Sequence, residues 1–190
     1  MDRCDIIQYL SKKINAKNYL EIGIANGETF SKIDIENKIG IDPEIDSKAT
    51  VHLTSDDFFK SNQKSFDLIF IDGLHESHQV EKDIINSLNF LNPSGYIICH
   101  DMLPTSFEMQ AMPRKQGVWT GDCWKAWVKI RNKDSKLTMR VVNTDYGCGI
   151  ICRGEQKLVK INEELSYKNF VKNKMYWMNI ISVDQFKEFY

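Results

Sequence analysis

Several acids and histidines in this 190-residue chain fall where an apolar run stops, the places where a strand can hand a reactive side chain to a ligand. The run Tyr19-Leu20-Glu21-Ile22 leads into Gly23-Ile24-Ala25-Asn26-Gly27. Gly23 and Gly27 can take backbone angles closed to other residues and let the chain approach a ligand closely. A second run, Lys38-Ile39-Gly40-Ile41, ends on Asp42. A carboxylate there can accept from both hydroxyls of a ribose, or it can cap the turn before Pro43. Asp72 follows Leu68-Ile69-Phe70-Ile71 and precedes Gly73, where a charge without a partner is costly. It can serve a ligand ammonium, a metal or a substrate hydroxyl. His75 and His78 lie three residues apart and share a face if helical, a spacing compatible with metal binding and more often without meaning. His100-Asp101 closes a further apolar run, Tyr96 to Cys99.

The elements that must position these groups alternate between helical and strand patterns. Residues 4–15 read as an amphipathic helix with Ile6, Ile7, Leu10 and Ile14 on one face. Strands are expected at 18–23, 38–42, 50–53, 66–71 and 96–99, the last after an Asn92-Pro-Ser-Gly95 turn. Residues 66–71 are apolar except for Asp67, as for a strand buried on both faces. Ser55-Asp56-Asp57 caps a short helix, and 77–91 carries Val80, Ile84, Leu88 and Leu91 in helical register. A polar stretch from 102 to 122 precedes a helix at 121–131, and strands at 138–143 and 148–152 form a hairpin about Asp145-Tyr-Gly-Cys-Gly149. The pattern predicts a doubly wound, mostly parallel, seven-stranded Rossmann-like α/β sheet with a C-terminal antiparallel hairpin. Residues 1–154 form the main unit and 155–190 a helical appendage of the same domain. In that appendage Phe170, Val171, Met175, Tyr176, Trp177 and Met178 either finish the core or make a homodimer contact.

A dinucleotide site needs G-x-G-x-x-G at the first turn. Here the order is Glu-x-Gly-x-x-x-Gly, with Ala25 in the middle, and Glu21 would repel a pyrophosphate. It suits a cationic ligand, so the turn reads as a site for S-adenosylmethionine rather than NAD. With the later segments Gly40-Ile-Asp-Pro-Glu44, Ser55-Asp-Asp-Phe-Phe59, Phe66 to His75 and Gly95 to Asp101, the chain resembles the class I S-adenosylmethionine-dependent methyltransferases over about residues 18–152. It is most similar to the small bacterial type related to sugar and catechol O-methyltransferases. The resemblance implies a cofactor held by Glu21, Gly23, Asn26, Gly27, Asp42 and Asp72, with Asp56 near the adenine amino group unless it is only an N-cap. It also implies Asp72, His100 and Asp101 as ligands of a divalent cation, magnesium or manganese. The competing reading makes His100 or Asp101 a general base without metal, with His75 close to the same pocket. The 102–122 loop would cover the acceptor, with Trp119 either facing it or packing inward.

The bulk properties narrow the partners. A net charge of −1 gives no electrostatic reason to expect nucleic acid or an anionic membrane. No apolar run approaches the ~20 residues that span a bilayer, and Met1-Asp-Arg-Cys-Asp-Ile-Ile has no apolar signal core. The five scattered cysteines then read as reduced thiols of a cytoplasmic protein, and Cys148 and Cys152 lack zinc-site spacing. The expected function is O-methylation of a small hydroxylated acceptor such as a sugar or sugar nucleotide. Two other classes remain: an NAD-dependent oxidoreductase, and a protein that binds the cofactor without catalysis.

Overall fold

A computed structural model describes all 190 residues, Met1–Tyr190. Seven strands form one sheet: β1 (Asn18–Ile22), β2 (Asn37–Ile41), β3 (Phe66–Ile71), β4 (Leu91–Cys99), β5 (Leu137–Val142), β6 (Cys148–Arg153) and β7 (Ile180–Ile181). Their order is β2-β1-β3-β4-β6-β5-β7. β6 alone is reversed, pairing antiparallel with both β4 and β5. The expected mixed sheet and hairpin are therefore present.

Alternation along β3 shows how the sheet is covered. Ile69 and Ile71 enter one core with Leu20, Trp124, Trp127, Phe170 and Trp177. Leu68 and Phe70 enter the other with Ile6, Leu10, Tyr19, Ile98 and Phe186. Helices α3 (Ser55–Ser61), α4 (Ser77–Phe90), α6 (Trp124–Lys133) and α7 (Tyr167–Met178) supply the first layer. Helices α1 (Arg3–Ile14) and α8 (Val183–Phe189) supply the second, and the short α2 (Glu28–Lys32) follows the glycine turn. Asp67, the polar residue of the β3 run, is satisfied at its outer end by the Lys17 and Asn18 amides, each at 2.9 Å, and by Asn92 at 2.7 Å.

Three local expectations are corrected. The strand at 50–53 is a single bridge, Val51 to Ile41, because only Val51 of that polar segment meets the sheet edge. Residues 92–95 do not break the chain but lie within β4, whose register against β3 shifts between Phe66 and Leu68. The tail is not purely helical: Ile180 and Ile181 dock as β7 on β5. Of the ambiguous tail residues, Phe170, Trp177 and Met178 are buried, whereas Val171, Met175 and Tyr176 are exposed. All five cysteines are free, and no helix is long and apolar enough to cross a membrane. The covering loop carries one short helix, α5 (Phe107–Gln110).

Candidate active site

β1, β2, β3 and β4 end on the same edge, so parallel pairing alone brings Gly23, Asp42, Asp72 and Asp101 into one neighbourhood. Gly23 is required there: its φ is +88°, and an added Cβ would lie 2.3 Å from the carbonyl oxygen of Asp72. Ala25, where the related pattern has glycine, also sits in the left-handed region at φ 45°. Asp42 holds this turn from below, accepting from the amides of Ile24 at 3.0 Å and Ala25 at 2.9 Å, and from Glu44 at 2.9 Å. The turn-cap role is thus real, and the same carboxylate lines a cleft of about 520 Å³ with Gly23, Asp56, Asp72, His75 and Gln79.

Asp56 is not the N-cap of α3, a role taken by Thr54; it accepts from Gln79 at 3.2 Å and pairs with Lys82 at 3.3 Å. Beneath it, buried Asp83 accepts from Ser55 at 2.6 Å and Gln79 at 3.0 Å, and burial raises its pKa. Glu21 is not in this cleft. It lies with Asn26 and Arg3 along a neighbouring one of about 320 Å³, which meets the first at Gly23, Ala25 and Asp72. Its carboxylate accepts from the Tyr19 hydroxyl at 2.5 Å, and burial pushes its pKa up to about 7 against that bond. Asn26 is exposed and bonded to Glu28 at 2.8 Å, and Gly27, at φ 75°, forms the N-cap of α2.

A third cleft, about 310 Å³, lies between the strand ends and the covering loop. His75 occupies its wall, with Nε2 3.3 Å from Asp72 and Nδ1 3.2 Å from Asp101. Its ring stacks on Trp119 at 5.5 Å, so this tryptophan faces the site. Trp124 and Trp127, by contrast, are fully buried in the core. His100 lies deeper, its Nδ1 3.3 Å from both Asp72 and Asp101 and its Nε2 3.5 Å from Asp145, where it forms no hydrogen bond. Arg3 forks onto Asp145 at 2.8 and 3.1 Å and reaches Asp72 at 3.2 Å.

Three carboxylates therefore face one arginine and two histidines. Burial disfavours the charged form of His100, but the carboxylates of Asp101, Asp145 and Asp72 around its ring outweigh it and raise its pKa far above the usual value. Burial likewise opposes the Asp72 charge, yet His100 and His75 hold it well below the carboxylate range. For His75 burial is again the largest effect, and Asp72 and Asp101 reverse it to give a raised pKa.

Of the expected metal set, Asp72 and Asp101 do converge. The third donor beside them is His75: one ligating atom from each of Asp72, His75 and Asp101 lies within 4.8 Å of the others. His100 borders the same cleft, 3.3 Å from both carboxylates, and also groups with Asp145 and Cys148. His78 is 63 % exposed and pairs with Glu76, outside the site. Arg3, Asp145, Gln79 and Asp83 had no assigned role from sequence. Asp83 left a trace, a carboxylate on the apolar stripe of α4 beside Val80 and Ile84; Arg3 left none.

The strand order, the reversed β6 and the clustering of acids at the carboxyl edge define the class I methyltransferase fold. Residues 36–102 match the model of a methyltransferase domain family, a stretch that takes in the motifs from Gly40 to Asp101 and leaves out the glycine turn at 21–27. Among solved structures the chain is similar to the O-methyltransferase TomG of Streptomyces achromogenes in complex with S-adenosylmethionine, at 13 % identity and TM-score 0.59 over 80 % of this chain and 79 % of that one. It is also similar to an O-methyltransferase of Bacillus cereus in complex with S-adenosylhomocysteine, at 14 % identity and TM-score 0.56 over 78 % of each chain. A third likeness is to the N-methyltransferase NodS of Bradyrhizobium japonicum, at 19 % identity and TM-score 0.54 over 81 % of this chain and 95 % of that one. No curated protein matches the sequence.

Proposed function

We propose that the chain is an S-adenosylmethionine-dependent methyltransferase acting on a hydroxyl of a small acceptor of the sugar or glycan type. One observation carries this reading. The cleft bordered by Asp42 and Asp56 and the cleft under the covering loop share Ala25, Asp72 and His75, so a cofactor in one meets an acceptor in the other beside an acid–imidazole pair. The O-methyltransferases of similar fold, with the cofactor or its product bound, support the same assignment.

In this reading adenosine lies between Asp42 and Asp56. Asp42 accepts three amides, and a carboxylate has about four acceptor sites, so one remains for a ribose hydroxyl. The methionine end crosses Gly23 and Ala25 towards Asn26 and Glu21, whose carboxylate answers the ammonium. The acceptor oxygen attacks the methyl in line: an O–C bond forms, the C–S bond breaks, and its electrons remain on sulfur as the neutral thioether. Asp101 takes the hydroxyl proton, and His75, stacked on Trp119 and placed between Asp72 and Asp101, positions that carboxylate. His100 holds the Asp72 carboxylate ionised, and Arg3 stands 3.2 Å from it. Asp72, His75 and Asp101 would also hold a divalent cation, manganese in preference to magnesium because of the imidazole, and it would acidify the bound hydroxyl.

The test is thermal unfolding with S-adenosylhomocysteine or NAD, with and without manganese, alongside transfer of labelled methyl to hydroxylated sugars. A ligand at 100 times its dissociation constant adds about 2.7 kcal/mol, a rise of about 5–10 °C at this size. Asp101→Ala is expected to keep the S-adenosylhomocysteine shift and lose methyl transfer. A shift with NAD alone would make the chain an oxidoreductase, and a cofactor shift with no transfer to any hydroxyl would make it a binding protein.

A further inference from the structure

The largest concavity of the molecule, about 750 Å³, is none of the three clefts above. It runs from the turn at residues 143–147 along α7 to the start of α8, and Tyr146 borders both it and the cleft that holds His75. We propose that this groove binds the non-reacting part of the acceptor and selects a hydroxylated molecule carrying one anionic group, a carboxylate or a phosphate. The proposal rests on the methyltransferase reading only for the site that the groove extends.

The groove sets free polar groups along a partly apolar lining that includes Val171 and Met175. The side-chain amide of Asn143, the hydroxyls of Tyr146 and Tyr167, the ammonium of Lys174 and Nε2 of Gln185 all line it, and none is engaged within the protein. Tyr146 is 43 % exposed and pairs with no other aromatic ring, leaving a face for the apolar side of a pyranose. The charge is also unbalanced. The groove's carboxylate, Asp145, is committed to Arg3, whereas Lys174 has no acid within ion-pair distance. Its neighbour on α7, Lys172, is paired with Glu163 at 2.6 Å and points elsewhere.

The backbone singles out the same junction. Six non-glycine residues have positive φ. Asn15 and Asn179 are helix C-caps, an ordinary use of asparagine. The other four, Ala25, Asp101, Asp145 and Tyr146, all border the cofactor, reaction or groove clefts. Asp145 and Tyr146 are the central pair of the β5–β6 hairpin turn, closed by the Gly147 amide donating to the Thr144 carbonyl at 2.7 Å, a turn that requires both to be left-handed. Here it aims Tyr146 between the reacting centre and the groove.

The experiment follows backbone amide resonances of the 15N-labelled protein, first with S-adenosylhomocysteine and then with glucose, glucuronate or glucose 1-phosphate titrated to millimolar concentration. Amides of residues 143–146 and 174–185 are expected to shift with an anionic probe and bind glucose more weakly; the tighter of glucuronate and glucose 1-phosphate tells carboxylate from phosphate. Lys174→Gln is expected to weaken the anionic probe about tenfold, the scale of a lost charge-assisted hydrogen bond. Lys174→Arg is expected to restore binding, and Lys172→Gln to leave it unchanged. Glucose binding as tightly as the anions, or an affinity indifferent to Lys174, would overturn the proposal. Cofactor-induced shifts at Gly23, Ala25 and Asp42 report separately on the methyltransferase reading. Their presence without groove shifts removes the groove alone, and groove shifts without them remove the cofactor assignment alone.

Discussion

Glu21→Gln tests the electrostatics of the first turn. Glu21 is 2 % exposed and its pKa rises from 4.5 to about 7, burial being the dominant cause. An acid whose folded-state pKa lies above its unfolded value binds its proton more tightly in the fold. Its presence therefore costs nothing below about pH 4.5, and destabilises progressively up to pH 7, where the penalty is complete. The difference of about 2.5 units, at about 1.36 kcal/mol each, sets a ceiling near 3 kcal/mol. Glutamine keeps an acceptor for the Tyr19 hydroxyl without the charge. Urea unfolding at pH 4.5 and pH 8 should show the variant and wild type nearly equal in acid and the variant more stable, by up to about 3 kcal/mol, in base. Taking the difference between the two proteins cancels the titration of the other acids. With S-adenosylhomocysteine the order should reverse at pH 8, since the ammonium then loses its counter-charge. An equal stability difference at both pH values would show that folding leaves the Glu21 pKa unshifted and that its burial has been misjudged.

Two further perturbations probe the frame of the site. Gly23→Ala combines a left-handed φ with a Cβ 2.3 Å from the Asp72 carbonyl oxygen; it should cost roughly 2–4 kcal/mol in chemical denaturation and weaken S-adenosylhomocysteine, and an unchanged midpoint would contradict the close approach. Arg3→Ala removes the fork on Asp145 and leaves His100 as the one cation between Asp145 and Asp72, so a loss of about 2 kcal/mol is expected, together with tighter manganese binding by paramagnetic resonance. Wild-type stability would reduce the fork to a surface contact.

What the sequence could reveal depended on whether a residue's role was local. Leu68-Ile69-Phe70-Ile71 reads as doubly buried because both faces of an α/β sheet must be covered, and its side chains do alternate between the two cores. Once the strands were placed, Asp42, Asp72 and Asp101 followed, since parallel strands deliver their carboxyl ends to one edge. Residues 50–53 failed because alternating polarity at a sheet edge resembles a strand without the partner to make one. Ile180-Ile181 carries no period at all and becomes a strand only through the free edge of β5. His75 and His100 both stand beside the two carboxylates, and only their difference in side-chain depth, which the residue order does not encode, separates them. Arg3 lies 69 residues from Asp72, and only the docking of α1 joins them.

The tail has a consequence for how the protein is made. Trp177 and Met178 close one core, and Phe186 and Tyr190 close the other, so both faces of the sheet stay open until the last turn of α8 has emerged. A nascent chain halted at Gly154 would hold a six-stranded sheet with Trp124 missing its stacking partner Trp177, 6.1 Å away, and with the edge of β5 bare. Such a species is adhesive. The two faces can close only once α8 has been made, and the interval between synthesis of β6 and emergence of α8 is the one in which a chaperone would be needed.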